Sequence, residues 1–331
     1  MKKYKETFFA VMFVLVAALL LHICGTVLRP GRVDYGAVWK PYLAEPENSL
    51  DYLYLGSSYT YCDVNPGVVY GSSGLTGYVL SGPEQTLSLT HWYLKEALKT
   101  QSPQYVFIES TALHFNRYQN YSQINVDYMP FSLNRLNAIF QGAEPDLRTG
   151  LLFPLYFYHN RWKDFDNSWV EAALSPGDTD ALKGYTVIGG VAQGLEYGPY
   201  QRAPKEETVY QENLADLEAI LALCRQAGAR PVVVFHPTYS QLPQEVRDRI
   251  RADVAELDSE AVFFDWSNAF DSIGMDPASH LYDPGHLNQE GARIFSAWLG
   301  HFFVEELGIA PQAQTAENAA AWQSVAEYWQ D

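Results

Sequence analysis

Residues 8–28 read FFAVMFVLVAALLLHICGTVL, about 21 positions without an Asp, Glu, Lys or Arg. That length matches the hydrocarbon thickness of a bilayer. In lipid a backbone must satisfy its own hydrogen bonds, so such a run has one available structure, a single helix. Lys2, Lys3 and Lys5 stand just before it. Positive charge is retained on the cytoplasmic side, which sends everything after Leu28 to the outside. A cleaved signal peptide is the rival reading. Against it, the run is long for the apolar part of a signal and no small-x-small site follows. A lipoprotein signal at Cys24 would need a small residue before it, where Ile23 stands. The expectation is an uncleaved, single-pass anchor over residues 1–28 in the cell membrane, with the remaining chain extracytoplasmic.

Residues 29–50 carry Pro30, Gly31, Gly36, Pro41 and Pro46, which reads as a linker of little regular structure. Beyond it, short β-prone runs alternate with helical patterns. Strands are expected at residues 51–56, 76–80, 105–108, 231–235 and 261–265. Helices are expected from about residue 64 to 70, then at 84–100, 206–227, 242–257 and 287–307. Strands that alternate with helices imply a parallel sheet covered on both faces. The expected fold is therefore α/β, a three-layer α/β/α sandwich around a parallel sheet of about five strands, with one N-terminal transmembrane helix. The domain spans residues 51–309. Residues 116–200, rich in Tyr, Phe, Asn and Trp, read as an insertion of short helices and loops. Residues 310–331 form a tail or a last helix.

The chain has 22 Lys and Arg against 39 Asp and Glu, a net charge of −17. Without Lys2, Lys3, Lys5 and Glu6 the part after the anchor is more acidic still. An acidic surface repels phosphate backbones, so nucleic acid is excluded as a partner, and anionic headgroups are repelled in the same way. Three cysteines, Cys24, Cys62 and Cys224, make neither a disulfide framework nor a zinc site. Cys62 reads as packing.

Two short motifs carry chemistry. The first strand delivers Gly56-Ser57-Ser58-Tyr59. A serine at a strand-to-helix turn exposes its hydroxyl, and the backbone N–H groups that follow it can receive an oxyanion. Ser and Gly are common in turns, so this motif alone does not single out a nucleophile. Just before the last long helix stands Asp283-Pro284-Gly285-His286. An aspartate three residues before a histidine can accept one ring N–H, fix the tautomer and leave the other nitrogen to take a serine proton. The plainer reading of that pair is a turn with a polar loop histidine.

Taken together the two motifs resemble the SGNH hydrolase superfamily, from Asp51 to about Leu307, which implies a flavodoxin-like sheet. In that family the nucleophile is the serine of a Gly-Asp-Ser block after the first strand. Gly56-Ser57-Ser58 matches with Ser57 in place of Asp, so the resemblance maps the nucleophile to Ser58. The family's Asp-x-x-His block maps to Asp283 and His286. Its oxyanion hole maps to the amides of Ser58 and Gly82, in Ser81-Gly82-Pro83. The Gly-x-Asn-Asp block after the third strand is missing. Glu109-Ser110-Thr111-Ala112 stands there, leaving Thr111, or an Asn of the insertion such as Asn116, as third donor. Gly-Ser-Ser, the anchor, an outside domain and a long insertion resemble one branch, that of the alginate O-acetylation proteins and the teichoic acid D-alanyl transfer protein. The resemblance implies a serine O-acyltransferase or esterase acting on a cell-surface polysaccharide or acylated glycan. It also implies a multi-pass membrane-bound O-acyltransferase as partner, and neither a metal nor an organic cofactor. The alternative is a non-catalytic module that binds polymer or docks such an acyltransferase.

One further cluster, Leu155-Tyr-Phe-Tyr-His159-Asn160-Arg161-Trp162, offers an imidazole, a cation and four aromatic rings in eight residues. His159, Arg161 and Trp162 are candidates for a glycan groove, since Arg pairs bidentately with carboxylates and phosphates. An ordinary helix with inward aromatics is the plainer reading. His236, at the end of the fourth strand, reads as a structural histidine.

Overall fold

The computed structural model describes residues 2–31, 35, 38–195 and 200–330. Five strands, β1 Tyr52–Gly56, β2 Gly77–Ser81, β3 Tyr105–Glu109, β4 Arg230–Phe235 and β5 Val262–Asp265, form one parallel sheet in the order β2-β1-β3-β4-β5. This is the flavodoxin-type doubly wound order, in which ligands bind outside the carboxyl ends of the strands. Every residue of β1 and β2 is buried, as expected of a sheet covered on both sides.

The two faces differ in side-chain type because successive residues point to opposite sides. Tyr52, Tyr54, Phe107, Val232 and Val234 face one way. Leu53, Leu55, Val106, Ile108 and Val233 face the other. The aromatic face is covered by Val69 of α3 (Pro66–Ser73) and by Phe295, Leu299 and Phe303 of α8 (Gln289–Glu305). Phe303 stacks on Phe107 with centroids 4.2 Å apart. The aliphatic face is covered by α4 (Leu87–Ala97), α6 (Glu207–Gln226) and α7 (Gln244–Leu257), through Leu94, Leu217, Leu221 and Val254 among others. The expected strands and long helices are all present, shifted by a few residues at their ends, a normal uncertainty for frayed termini.

Helix α1 (Lys2–Leu28) is long and apolar enough to cross a membrane, and almost none of it is buried against the chain. Within the segment after it, residues 38–50 pack against the core. Trp39 and Tyr42 lie on a short helix, Trp39–Tyr42, and both are buried in the core. The Tyr42 hydroxyl donates to the Ala97 carbonyl at 2.9 Å. The burial of these two rings ties residues 38–42 to the core.

The insertion is a set of short helices, among them Ser122–Asp127, α5 (Leu133–Gly142), Leu155–Tyr158 and Ser168–Leu174. Its later part packs against α1. The chain's tail forms α9 (Ala316–Tyr328), which buries Trp322. All three cysteines are free.

Candidate active site

The chain turns sharply where β1 ends. A Cβ on Gly56 would collide with Thr60 Oγ1 and come within 2.8 Å of Glu109 Cβ, so only glycine fits. Ser57 is still extended, and Ser58 opens the six-residue helix α2 (Ser58–Asp63) with its hydroxyl partly exposed at the carboxyl edge of the sheet.

The Asp283–His286 turn is clasped to that edge from several directions. Asp283 Oδ1 accepts the N–H of Gly285 at 2.7 Å and of His286 at 2.9 Å. The Pro284 carbonyl accepts N–H groups of Tyr239 and Ser240, at 3.0 and 2.9 Å, from the loop after β4. Leu281 and Leu287 form an antiparallel bridge across the turn. Asn288 then caps α8 through the N–H of Gly291. The outcome is a continuous chain of polar atoms. His286 Nδ1 lies 2.9 Å from both carboxylate oxygens of Asp283, and His286 Nε2 lies 2.8 Å from Ser58 Oγ. The Tyr59 ring stacks on the His286 ring at 4.9 Å.

Charge is graded along this chain. Burial works against a charged His286, but the hydrogen bond and charge of Asp283 outweigh it, helped by Asp63 and Glu109. The imidazole is held above its usual value of 6.5. Burial likewise works against the Asp283 carboxylate, yet its bonds to His286 and two backbone amides hold it below 3.8.

Behind the turn lies a second polar chain that sequence reading did not anticipate. Tyr54 donates to His236 Nε2 at 2.6 Å, and His236 Nδ1 donates to the Tyr59 carbonyl at 2.9 Å and to Asp63 Oδ2 at 3.0 Å. Asp63 Oδ1 accepts the N–H of Leu287 at 3.0 Å. All of these side chains are fully or almost fully buried. Burial pushes His236 down to about 4, so it is neutral, and raises Asp63 well above the usual carboxylate range. His236 is thus a satisfied structural residue, and Asp63 fixes the backbone next to His286. Asp63 follows Ser58 by five residues on α2, a spacing that carries no motif.

Gly82 follows β2 in a tight corner. A Cβ there would run into the carboxamide of Asn125, on the helix Ser122–Asp127 of the insertion. Asn125 is fully buried, donates one N–H to the Pro83 carbonyl at 3.0 Å, and has no partner on Oδ1. Its second amide hydrogen is uncommitted among the described residues. Thr111, expected as a donor, is engaged elsewhere: its hydroxyl and its N–H both donate to Glu109 Oε1, at 2.5 and 2.9 Å. Burial lifts Glu109 above the usual carboxylate range. Asn116 is turned to Lys205, whose ammonium it accepts at 3.1 Å. The asparagine beside Gly82 is therefore Asn125, brought in by tertiary folding rather than by local sequence.

The candidates His159, Arg161 and Trp162 are not assembled with the triad. They lie in a 3-10 turn, His159–Asp164, that packs on the end of α1. Arg161 donates to the Leu28 carbonyl and stacks over Trp169 at 4.0 Å. His159 bonds to the carbonyls of Leu155 and Tyr156, on the short helix just before it, and Trp162 is 63% exposed. The cation that does lie near the site is Arg202, whose guanidinium sits 5.8 Å from the Tyr59 ring with a buried, unpartnered Nε. It follows a two-residue strand paired to Ser240–Gln241, a placement with no sequence signature. Among the described residues no group of three His, Cys, Asp or Glu side chains is arranged to hold a metal ion.

No protein-family profile matches the chain, and no curated protein sequence is significantly similar to it. Solved structures resemble the chain at low identity. A Bacteroides fragilis protein described as an acylhydrolase is 12% identical over 80% of this chain and 93% of its own, with a TM-score of 0.41. Two variants of a Geobacillus stearothermophilus acetylxylan esterase are 13% and 12% identical. They cover 81% and 82% of this chain and 99% and 100% of their own, with TM-scores of 0.38 and 0.37. At such identities and scores the likeness says nothing about chemistry, which rests on the geometry above.

Proposed function

We propose that the chain is a serine acyl-transfer enzyme, an esterase or O-acyltransferase, held at the outer face of a membrane by α1. The observation that supports this most is the continuous file from Asp283 through His286 to Ser58, with 2.9 and 2.8 Å between the successive polar atoms. In the first half-reaction Ser58 Oγ attacks the acyl carbonyl while His286 Nε2 takes its proton. Asp283 holds the ring and stabilises the imidazolium. The amides of Ser58 and Gly82 receive the oxyanion. The leaving alcohol takes the proton back from His286, and an acyl-serine remains. In the second half-reaction a sugar hydroxyl or water gives its proton to His286 and attacks the acyl-serine; the new ester or the free acid departs as Ser58 Oγ takes that proton back from His286.

A surface polysaccharide as substrate and a multi-pass O-acyltransferase as neighbour are the finer reading. It rests on the resemblance of Gly56-Ser57-Ser58 and Asp283-Pro284-Gly285-His286, together with α1. The test uses the full chain in detergent or nanodiscs with a chromogenic acetyl ester, with and without oligosaccharide acceptors. Acceptor-dependent acetylated product supports transfer, and acetate release that ignores acceptors supports hydrolysis. Ser58→Ala loses both, along with labelling by a fluorophosphonate. Polymer acylation that survives Ser58→Ala in cells sinks the enzymatic reading and leaves the docking module.

A further inference from the structure

Exposed apolar side chains are concentrated in the insertion, around the end of α1. Phe131 is 72% and Leu133 76% exposed, and Phe140, Phe153, Tyr156 and Trp162 are exposed as well. Single exposed hydrophobics are ordinary, but so many large ones in one part of the chain point to a surface with a partner. Helix α5 buries Ala138 and Ile139 in the core and presents a second apolar pair outward. Leu133 and Phe140, seven residues apart and so on one face, point outward, while Asn134 and Arg135 are buried. Arg135 spends its guanidinium on the carbonyls of Val126 and Leu151 and on Asp127.

The level of this surface along α1 identifies what covers it. The Phe131 ring lies 4.9 Å from the His22 ring, and Gly25 packs against Pro154. His22 lies six residues before Leu28, about 9 Å of helical rise. Residues 8–28 rise about 31 Å, the thickness of the hydrocarbon core itself. If α1 spans the bilayer, side chains beside His22 lie within the leaflet, below its surface. Cations sit one level higher. Arg29, Lys40 and Arg161 line a groove of about 610 Å³ with Tyr128 and Trp169. Aromatic rings with an apolar body and a polar tip, and long cationic side chains, are the groups that settle at headgroup depth.

We propose that the insertion is a second membrane contact: it seats in the outer leaflet beside α1, with Phe131, Leu133 and their neighbours among the acyl chains and Arg29, Lys40 and Arg161 at the lipid phosphates. The occupant is phospholipid. The chain is acidic overall; locally Arg29, Lys40 and Arg161 each give a bond to a carbonyl, of Asp127, Ala172 and Leu28, and keep further N–H groups for phosphate. The contact also reaches the reaction centre. The helix Ser122–Asp127 places Asn125 against Gly82, while its last residue, Asp127, receives Arg29 through its carbonyl and lies 3.9 Å from that guanidinium through its carboxylate. Seating the insertion therefore sets the height of Ser58 above the membrane.

The inference rests on the anchor reading of α1, and the experiment separates the two. The full chain carrying Cys24→Ser, with Cys62 and Cys224 buried and unreactive, is placed in nanodiscs of phosphatidylcholine and phosphatidylglycerol. Spin labels are introduced through Phe131→Cys, Leu133→Cys, Leu19→Cys and Gln211→Cys, one at a time. Relaxation by oxygen, which concentrates in lipid, is compared with relaxation by a water-soluble nickel complex. Labels at 131 and 133 are expected to match the label at 19, with an oxygen-to-nickel ratio several-fold above that at 211. Ratios at 131 and 133 that match 211, while 19 still reports lipid, overturn the inference and leave the anchor standing. A label at 19 that also reports water overturns both. Cooperative thermal unfolding of each variant verifies that the protein is folded.

Discussion

Replacing Asp283 by asparagine changes one atom, and the structure says which way the new side chain must face. Oδ1 already accepts two backbone N–H groups, from Gly285 and His286, at 2.7 and 2.9 Å. The amide oxygen of Asp283→Asn has to take that place, which puts the NH₂ group where Oδ2 lies, 2.9 Å from His286 Nδ1. The amide then donates to Nδ1, the imidazole proton moves to Nε2, and Nε2 can no longer accept from Ser58. Two losses add. Two charges 2.9 Å apart interact by about 5–6 kcal/mol at an effective dielectric constant near 20. The Asp283 side chain is 39% exposed, and screening reduces that figure to about 3 kcal/mol. Restoring the productive tautomer costs a further ~1–3 kcal/mol, the scale of one buried hydrogen bond broken. The sum predicts a fall in kcat/KM of roughly 10³–10⁴-fold, at 1.36 kcal/mol per factor of ten. The assay is hydrolysis of a chromogenic acetyl ester, with the rate of fluorophosphonate labelling falling in parallel and circular dichroism verifying that the protein is folded. A folded Asp283→Asn protein that keeps more than a tenth of the activity would refute both the orientation argument and the role of His286 as base.

Further outcomes follow from the same geometry. Because His286 is held above 6.5 and must be neutral to accept a proton, kcat/KM should rise with pH through a midpoint above 6.5; a midpoint at or below 6.5 contradicts the assignment. The raised imidazole contributes stability that is full below 6.5 and is lost as pH rises through its folded value, so activity and this contribution move in opposite directions. Asp283, held below 3.8, contributes stability present above 3.8 and lost as pH falls through its lower folded value. Gly82→Ala drives a methyl into the buried Asn125 carboxamide, costing about 1–3 kcal/mol in urea unfolding and lowering kcat more than it raises KM. Phe303→Ala opens a cavity against Phe107, 4.2 Å away, and should cost ~3–5 kcal/mol of stability while leaving KM unchanged in the folded fraction.

Much of the domain was legible because burial on both sides of a sheet leaves an unbroken apolar run. Val232 to Phe235 can hardly be anything but a central strand, and the periodicity of α6 and α8 is clear from their leucines and phenylalanines. The aromatic weight of Trp39 and Tyr42 was present in the sequence too, but the prolines around them pointed to a linker. Asp283 and His286 were readable as a pair because three residues of one turn place them together. Ser58 was readable only in their company, since a Gly-Ser-Ser turn is common.

What lies far apart in the chain was not legible. Asn125 meets Gly82 because the insertion folds back over the β2 corner, and no spacing announces it. Thr111 stood in the right place after β3, but the buried Glu109 two residues earlier takes its hydroxyl. His159, Arg161 and Trp162 had the composition of a glycan groove and were instead drawn to the end of α1. The sequence by itself determined the local facts: an apolar helix, five strands, one serine at a turn and one Asp-x-x-His. These follow from the chemistry of a few neighbouring residues. Only the tertiary structure decided which distant side chains meet, because a contact across 228 positions, like that of Ser58 with His286, depends on how the sheet, its corners and the insertion pack as a whole.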